Sequence, residues 1–207
     1  VDCSCNKPVS LCELWSYVRE SCNWSNDDVN KLAKIFRKID WHAGFPRSVL
    51  AKWNNNEWKL YQQANECIFS NVSNKTSADI IIDSSKYAAR ALALNHMFGN
   101  NVSILCILRS PEGMLASFRK PNKEEQKPKS FLAIVLYYLY VLFCMRIVIL
   151  LLGKRVYLIK YESLINKPET VLLNIEQWAN CDLSESRGKL ERDDYFDIGH
   201  IVTGNRL

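Results

Sequence analysis

Residues 103–118 read SILCILRSPEGMLASF, and the folding of this stretch decides how the rest of the chain is arranged. From Ser103 to Leu108 it is apolar enough for the interior of a sheet, so the pattern predicts a strand. The strand ends on Arg109, and Ser110-Pro111 then supplies an N-cap followed by proline at the first helical position. Ser117 follows eight residues after Arg109, two turns into the expected helix. A guanidinium fork at a strand end and a nearby hydroxyl suit a doubly charged phosphate, and a helix N-terminus aimed at it adds to the attraction. The same spacing equally suits a strand-end salt bridge and a surface serine.

Working outward, DIIID (79–83) is a second short β-branched run, SSKYAARALALNHMF (84–98) a helix closed near Gly99, and RVYLIKY (155–161) another strand before the helix PETVLLNIEQWA (168–179). Strands alternating with helices predict a parallel sheet with right-handed crossovers, whose ligands bind beyond the carboxyl ends of the strands. Asp83 falls at such an end, and Ser84 or Ser85 is placed to cap the next helix. Lys86 and Arg90 are four residues apart, which puts two like charges on one helical face unless an anion lies near them.

The first seventy or so residues read as helices. NDDVNKLAKIFRKI (26–39) has Asn26 or Asp27 as N-cap, and SVLAKWNNNEWKLYQQANECIF (48–69) repeats the helical spacing after Pro46. Trp41, Trp53 and Trp58 are expected to pack rather than bind. The charged stretch RKPNKEEQKPKS (119–130) reads as a solvated connection, with a lid as the alternative. FLAIVLYYLYVLFCMRIVILLL (131–152) is long enough to span a bilayer, but Arg146 and internal tyrosines favour a helix buried in a globular core.

Composition narrows the function without choosing it. A chain of 207 residues that is 48% hydrophobic can bury one sizeable core. Its net charge of +5 comes from interspersed charges, which argues against a nucleic-acid arm and is compatible with a phosphorylated small molecule. Of the eight cysteines, Cys106 and Cys144 sit in apolar runs, while Cys3, Cys5, Cys12 and Cys22 crowd the N-terminal end, where disulfides are possible. There is no Cys-x-x-Cys pair and no zinc-ligand spacing, so no metal is expected. Sequons at Asn23, Asn71, Asn74 and Asn101 suit a secretory-pathway protein.

Taken together, DSSK (83–86), ILRSPEGMLASF (107–118), LIKYESLINKPETVL (158–172) and the terminal HIVTGNR (200–206) resemble the sulfotransferases that use 3′-phosphoadenosine 5′-phosphosulfate, over about residues 79–207. The resemblance implies an α/β, parallel-sheet, P-loop-like sulfotransferase fold with helices packed on the sheet. It further implies a single domain, with a helical part at 1–75 and an α/β part at 79–207 expected to hold the donor nucleotide. It implies that Arg109 and Ser117 bind the donor's 3′-phosphate and that Gly204, Asn205 and Arg206 approach its phosphates. The implied reaction moves a sulfuryl group to a hydroxyl or amine, in a carbohydrate for example. Lys86 is then the cation near the reaction centre, Asp83 the general base, and His200 a rival base; Ser85 and Arg90 border the same place, and Tyr161 and Glu162 brace the sheet edge. The family's Gly- and Ser/Thr-rich loop for the 5′-phosphosulfate is not found; Gly44 is the first glycine and lacks its context. That loop is expected before Val1, so the chain is expected to be truncated at its N-terminus.

The alternatives are a nucleotide-binding remnant without turnover and a membrane-anchored protein using residues 131–152. A P-loop kinase is disfavoured because no Gly-Lys-Ser/Thr occurs. The expected compartment is the Golgi lumen for a eukaryotic protein and the cytoplasm for a bacterial one.

Overall fold

The computed structural model describes residues 2–119, 130–196 and 199–202. It is mixed α/β and mostly helical, with a two-stranded parallel sheet. The chain divides into two compact units, residues 1–93 with 196–207 and residues 94–195.

The first unit is built on α1 (Glu13–Ser21), α2 (Asn26–Asp40), α3 (Phe45–Leu50) and α4 (Asn55–Thr76). Helix α2 starts one residue earlier than its sequence suggested. Ser25 is the N-cap, because its hydroxyl accepts from the Asp28 amide while the Asp28 carboxylate accepts from the Ser25 amide, a reciprocal capping box. The single helix expected over 48–69 is instead two. Ala51 takes a left-handed conformation (φ 51°) that closes α3, and the Asn54 side chain accepts from the Asn56 and Glu57 amides to start α4. Leu14 and Val18 of α1 bury themselves with Cys3 and Cys12 against Ile68 and Val72 of α4. A disulfide joins Cys22, just past α1, to Cys67 in α4. Trp53 stacks on Trp58 at 3.9 Å between ring centroids, and Trp58 on Tyr61 at 5.3 Å, so these tryptophans pack as expected.

Residues 79–83 do not form the expected strand. Ile80 and Ile82 are exposed, 57% and 85%, and the segment has no ladder partner among the described residues. A β-branched run without a neighbour to take its backbone hydrogen bonds stays merely extended. Helix α5 (Ala88–Phe98) follows, ending where Gly99 takes φ 56°.

In the second unit β1 (Ile104–Leu108) and β2 (Val156–Lys160) pair in parallel, from Ile104 with Val156 to Leu108 with Lys160. Between them lie α6 (Pro111–Arg119) and α7 (Phe131–Leu152); after β2 come α8 (Tyr161–Asn166), α9 (Pro168–Ala179) and α10 (Ser184–Glu191). Tyr157 of β2 stacks on Trp178 of α9, whose indole N–H donates to the Lys154 carbonyl at 3.0 Å. The Arg155 guanidinium donates to Asn95 and to the Gly99 carbonyl, both at 2.6 Å, and so fixes the end of α5 beside the start of β2. Leu105 and Ile107 on one face and Leu158 on the other remain exposed, so neither face of the two-stranded sheet is fully covered.

Helix α7 forms as read, but it is not the buried core helix the sequence suggested. Ile134, Cys144, Val148 and Leu152 are buried, while Leu132, Leu136, Leu139, Phe143 and Leu150 are more than half exposed. A helix apolar on all sides cannot hide every side against one small sheet. By length and composition Phe131–Arg155 qualifies as a candidate membrane span. The loop read at 119–130 lies, from residue 120 to 129, outside the described residues.

Candidate functional site

The second unit carries the strand-loop-helix motif. The β1–β2 register ends with Leu108 opposite Lys160, so the next residues, Arg109 and Tyr161, leave the sheet side by side. The Arg109 guanidinium lies 4.9 Å from the centroid of the Tyr161 ring, within cation–π range. Ser110 caps α6: its hydroxyl accepts from the Gly113 amide at 3.1 Å and its carbonyl from Met114 at 2.9 Å. The Ser110 amide in turn donates to Glu162 at 2.8 Å, which locks the β1–α6 loop to the end of β2. That bond, first among its causes, holds the half-buried Glu162 carboxyl below the usual carboxylate range. A Cβ on Gly113 would stand 2.9 Å from Arg109 Nε, so glycine leaves the arginine its passage over the helix start. Arg109 and Ser117 are both solvent-exposed. A cation at the carboxyl edge of a parallel pair, beside a capped helix N-terminus, can receive an anion.

The first unit holds a different constellation. Arg90 of α5 is buried, 7% exposed, and donates through Nε at 3.0 Å and Nη2 at 2.9 Å to Asp83 Oδ2. Its Nη1 donates to the Tyr61 hydroxyl at 2.7 Å, and that hydroxyl donates to Asp40 at 2.5 Å. Arg90 also lies 3.6 Å from Asp40, so one guanidinium serves two carboxylates.

This geometry corrects three expectations. Arg90 does not share a solvent face with Lys86, because Asp83 Oδ1 accepts from the Ser85 amide at 2.8 Å and the turn so made delays the helix to Ala88. Lys86 is exposed ahead of the helix, and neither Ser84 nor Ser85 stands at its first turn. Asp83 is committed to Arg90 by two hydrogen bonds; although burial raises its pKa, the Arg90 charge and the Ser85 hydrogen bonds prevail and hold it below the usual carboxylate range. His200, the rival base, faces thiols, its Nδ1 being 3.2 Å from Cys12 Sγ and 3.8 Å from Cys3 Sγ. Gly204, Asn205 and Arg206 lie outside the described residues. Asp83, Ser85, Lys86 and Arg90 belong to the first unit and Arg109 and Ser117 to the second.

Burial drives Asp40 the other way, up to about 6, with the Asp83 charge adding to the rise and Arg90 and Tyr61 opposing it. The native state therefore holds a proton that the unfolded chain releases above its ordinary value of 3.8. The stabilisation from that proton is complete below pH 4 and is lost as pH rises through 6, a change of about 3 kcal/mol. Asp40→Asn is expected to flatten this fall, read from urea midpoints between pH 4 and 7. An unchanged slope would refute the assignment.

Comparison with known proteins finds no family model, no curated protein and no solved structure that matches this chain.

Proposed function

We propose that the chain is a sulfotransferase-like protein of P-loop-like α/β fold that binds 3′-phosphoadenosine 5′-phosphosulfate and passes its sulfuryl group to a hydroxyl or amine acceptor such as a carbohydrate. The observation that carries the reading is the placement of Arg109 at the carboxyl edge of the parallel pair, directly before the Ser110-capped start of α6. The motif residues 107–118 fold as strand, turn and helix, and the bond from Ser110 to Glu162 makes YESL (161–164) a brace of that turn.

In this reading Arg109 and Ser117 donate to the 3′-phosphate, and Tyr161 supports the guanidinium from its other side. The acceptor oxygen or nitrogen attacks sulfur and releases its proton to solvent, the bond from sulfur to the bridging phosphate oxygen breaks, and the nucleotide departs as adenosine 3′,5′-bisphosphate. Asp83 acts as the partner that positions Arg90 rather than as the base.

Calorimetric titration separates this reading from others. Adenosine 3′,5′-bisphosphate is expected to bind more tightly than 5′-AMP. Arg109→Ala is expected to weaken the bisphosphate by about 2 kcal/mol, roughly 30-fold, the worth of a charge-assisted phosphate contact, while leaving 5′-AMP unaffected. Equal affinities, or an Arg109→Ala protein that still prefers the 3′-phosphate, would sink the assignment. Binding without sulfuryl transfer to any acceptor supports the nucleotide-binding remnant instead.

A further inference from the structure

Three cysteines from the N-terminal turn and His200, from the other end of the chain, converge in the first unit. Cys3 and Cys12 are buried, Cys5 is half-buried and His200 is exposed, and their four ligand atoms all lie within 4.8 Å of one another. Cys12 Sγ is 3.6 Å from Cys3 Sγ, and His200 Nδ1 is 3.2 Å from Cys12 and 3.8 Å from Cys3. A tetrahedral zinc, with bonds of about 2.3 Å to sulfur and 2.0 Å to nitrogen, separates its donor atoms by about 3.5–3.8 Å. The observed spacings bracket that range, and Cys3 and Cys12 are both free rather than disulfide-bonded.

The surrounding backbone is organised to hold these atoms. Asn6 takes φ 62°, the Asn6 amide donates to the Cys3 carbonyl at 2.9 Å and the Cys3 amide to the Lys7 carbonyl at 2.8 Å, a tight turn that carries Cys5 back beside Cys3. Cys12 sits at the start of α1. His200 is presented from the other strand of chain: Ser4 and Ile201 exchange hydrogen bonds, Cys3 bridges Val202 in antiparallel fashion, and the Trp15 indole donates to the His200 carbonyl at 2.9 Å. The chain thus fixes His200 independently of any sulfur contact.

We propose that Cys3, Cys5, Cys12 and His200 form a structural zinc site that clips residues 199–202 to the N-terminal turn. Three thiolates and one imidazole suit Zn(II) over harder cations, and a fully protein-ligated tetrahedron is the closed type that supports folding rather than catalysis. Binding expels the three thiol protons to solvent, leaving a zinc–thiolate centre with His200 neutral. The site takes up His200, the rival base of the sulfotransferase reading, and shares none of that reading's nucleotide-binding residues.

The full chain, with the Cys22–Cys67 bond intact, is to be assayed for zinc by elemental mass spectrometry and then reloaded with Co(II). The expected result is one zinc per chain, and with cobalt a thiolate-to-metal charge-transfer band together with the intense visible bands of a tetrahedral ion. His200→Ala is expected to weaken zinc roughly 100-fold in competition with a chelator, the share of one ligand in four. His200→Cys is expected to retain the metal with a spectrum shifted toward four thiolates, which keeps the test decisive if Cys12→Ser fails to fold. Less than half an equivalent of zinc after reloading, a disulfide among Cys3, Cys5 and Cys12 in the native protein, or a cobalt spectrum indifferent to His200→Ala would each overturn the proposal.

Discussion

Arg90→Met is expected to destabilise the protein by about 4 kcal/mol, within the range found when one partner of a buried ion pair is removed and the other left behind. Arg90 is 7% exposed, and it is the group that balances Asp83 and Asp40, whose side chains are 20% and 17% exposed. Removing it leaves two carboxylates near one another and a Tyr61 hydroxyl that has lost its donor. The guanidinium also stands 5.6–5.9 Å from the ring centroids of Phe36, Tyr61 and Phe69, an aromatic wall that methionine fills without the cation–π attraction. Urea midpoints at pH 7 check the magnitude. The cause is separated from mere packing by neutralising the carboxylates as well: Arg90→Met with Asp83→Asn and Asp40→Asn is expected to recover much of the loss, since an uncharged cluster has no orphaned charge. A single variant within 1 kcal/mol of wild type, on the order of an ordinary surface change, would show that the cluster is not the anchor of α5.

That cluster also shows what sequence could not say. The pairing of β1 with β2 was legible, because two short apolar runs flanked by helices leave few arrangements, and the Gly99 and Ser-Pro signals marked the end of α5 before β1 and the start of α6 after it. The likeness of DIIID to those runs misled for a physical reason: a strand is defined by its neighbour, and Ile80 and Ile82 have none among the described residues. Arg90 looked like a surface charge four residues from Lys86, since nothing local tells that Asp40 and Tyr61, from 50 and 29 positions away, will meet it. The zinc ligands were invisible to spacing rules because His200 stands 188 residues after Cys12. Helix α7 went wrong in the opposite sense. Its composition demands cover, and the described residues give it cover on one side only.

The second large effect is expected at the disulfide. Cys22 and Cys67 close a loop with a sequence separation of 45, which contains α2, α3 and the first half of α4. Cross-linking a loop of that length removes denatured-state entropy worth about 4 kcal/mol, if the chain-entropy account holds. Little in the native state opposes this, because α1 and α4 already pack through Leu14, Val18, Ile68 and Val72 beside the bond. The Asn71 amide, donating to the Cys67 carbonyl at 2.9 Å, further fixes the α4 side. That bond also takes up the side chain of one of the sequons. A Cys22→Ser, Cys67→Ser protein is accordingly expected to lose about 4 kcal/mol, measured as the urea midpoint, and to become insensitive to reductant in that transition. Loss of less than 1 kcal/mol would mean that α1 stays on α4 without the bond and that the loop is already restricted when unfolded. The outcome bears on the thiol cluster as well. A chain that matures where Cys22 and Cys67 oxidise exposes Cys3, Cys5 and Cys12 to the same conditions. Thiolates bound to zinc are shielded from pairing there, so the Cys22–Cys67 bond together with reduced Cys3 and Cys12 in one zinc-loaded preparation is the pattern that the proposed site produces.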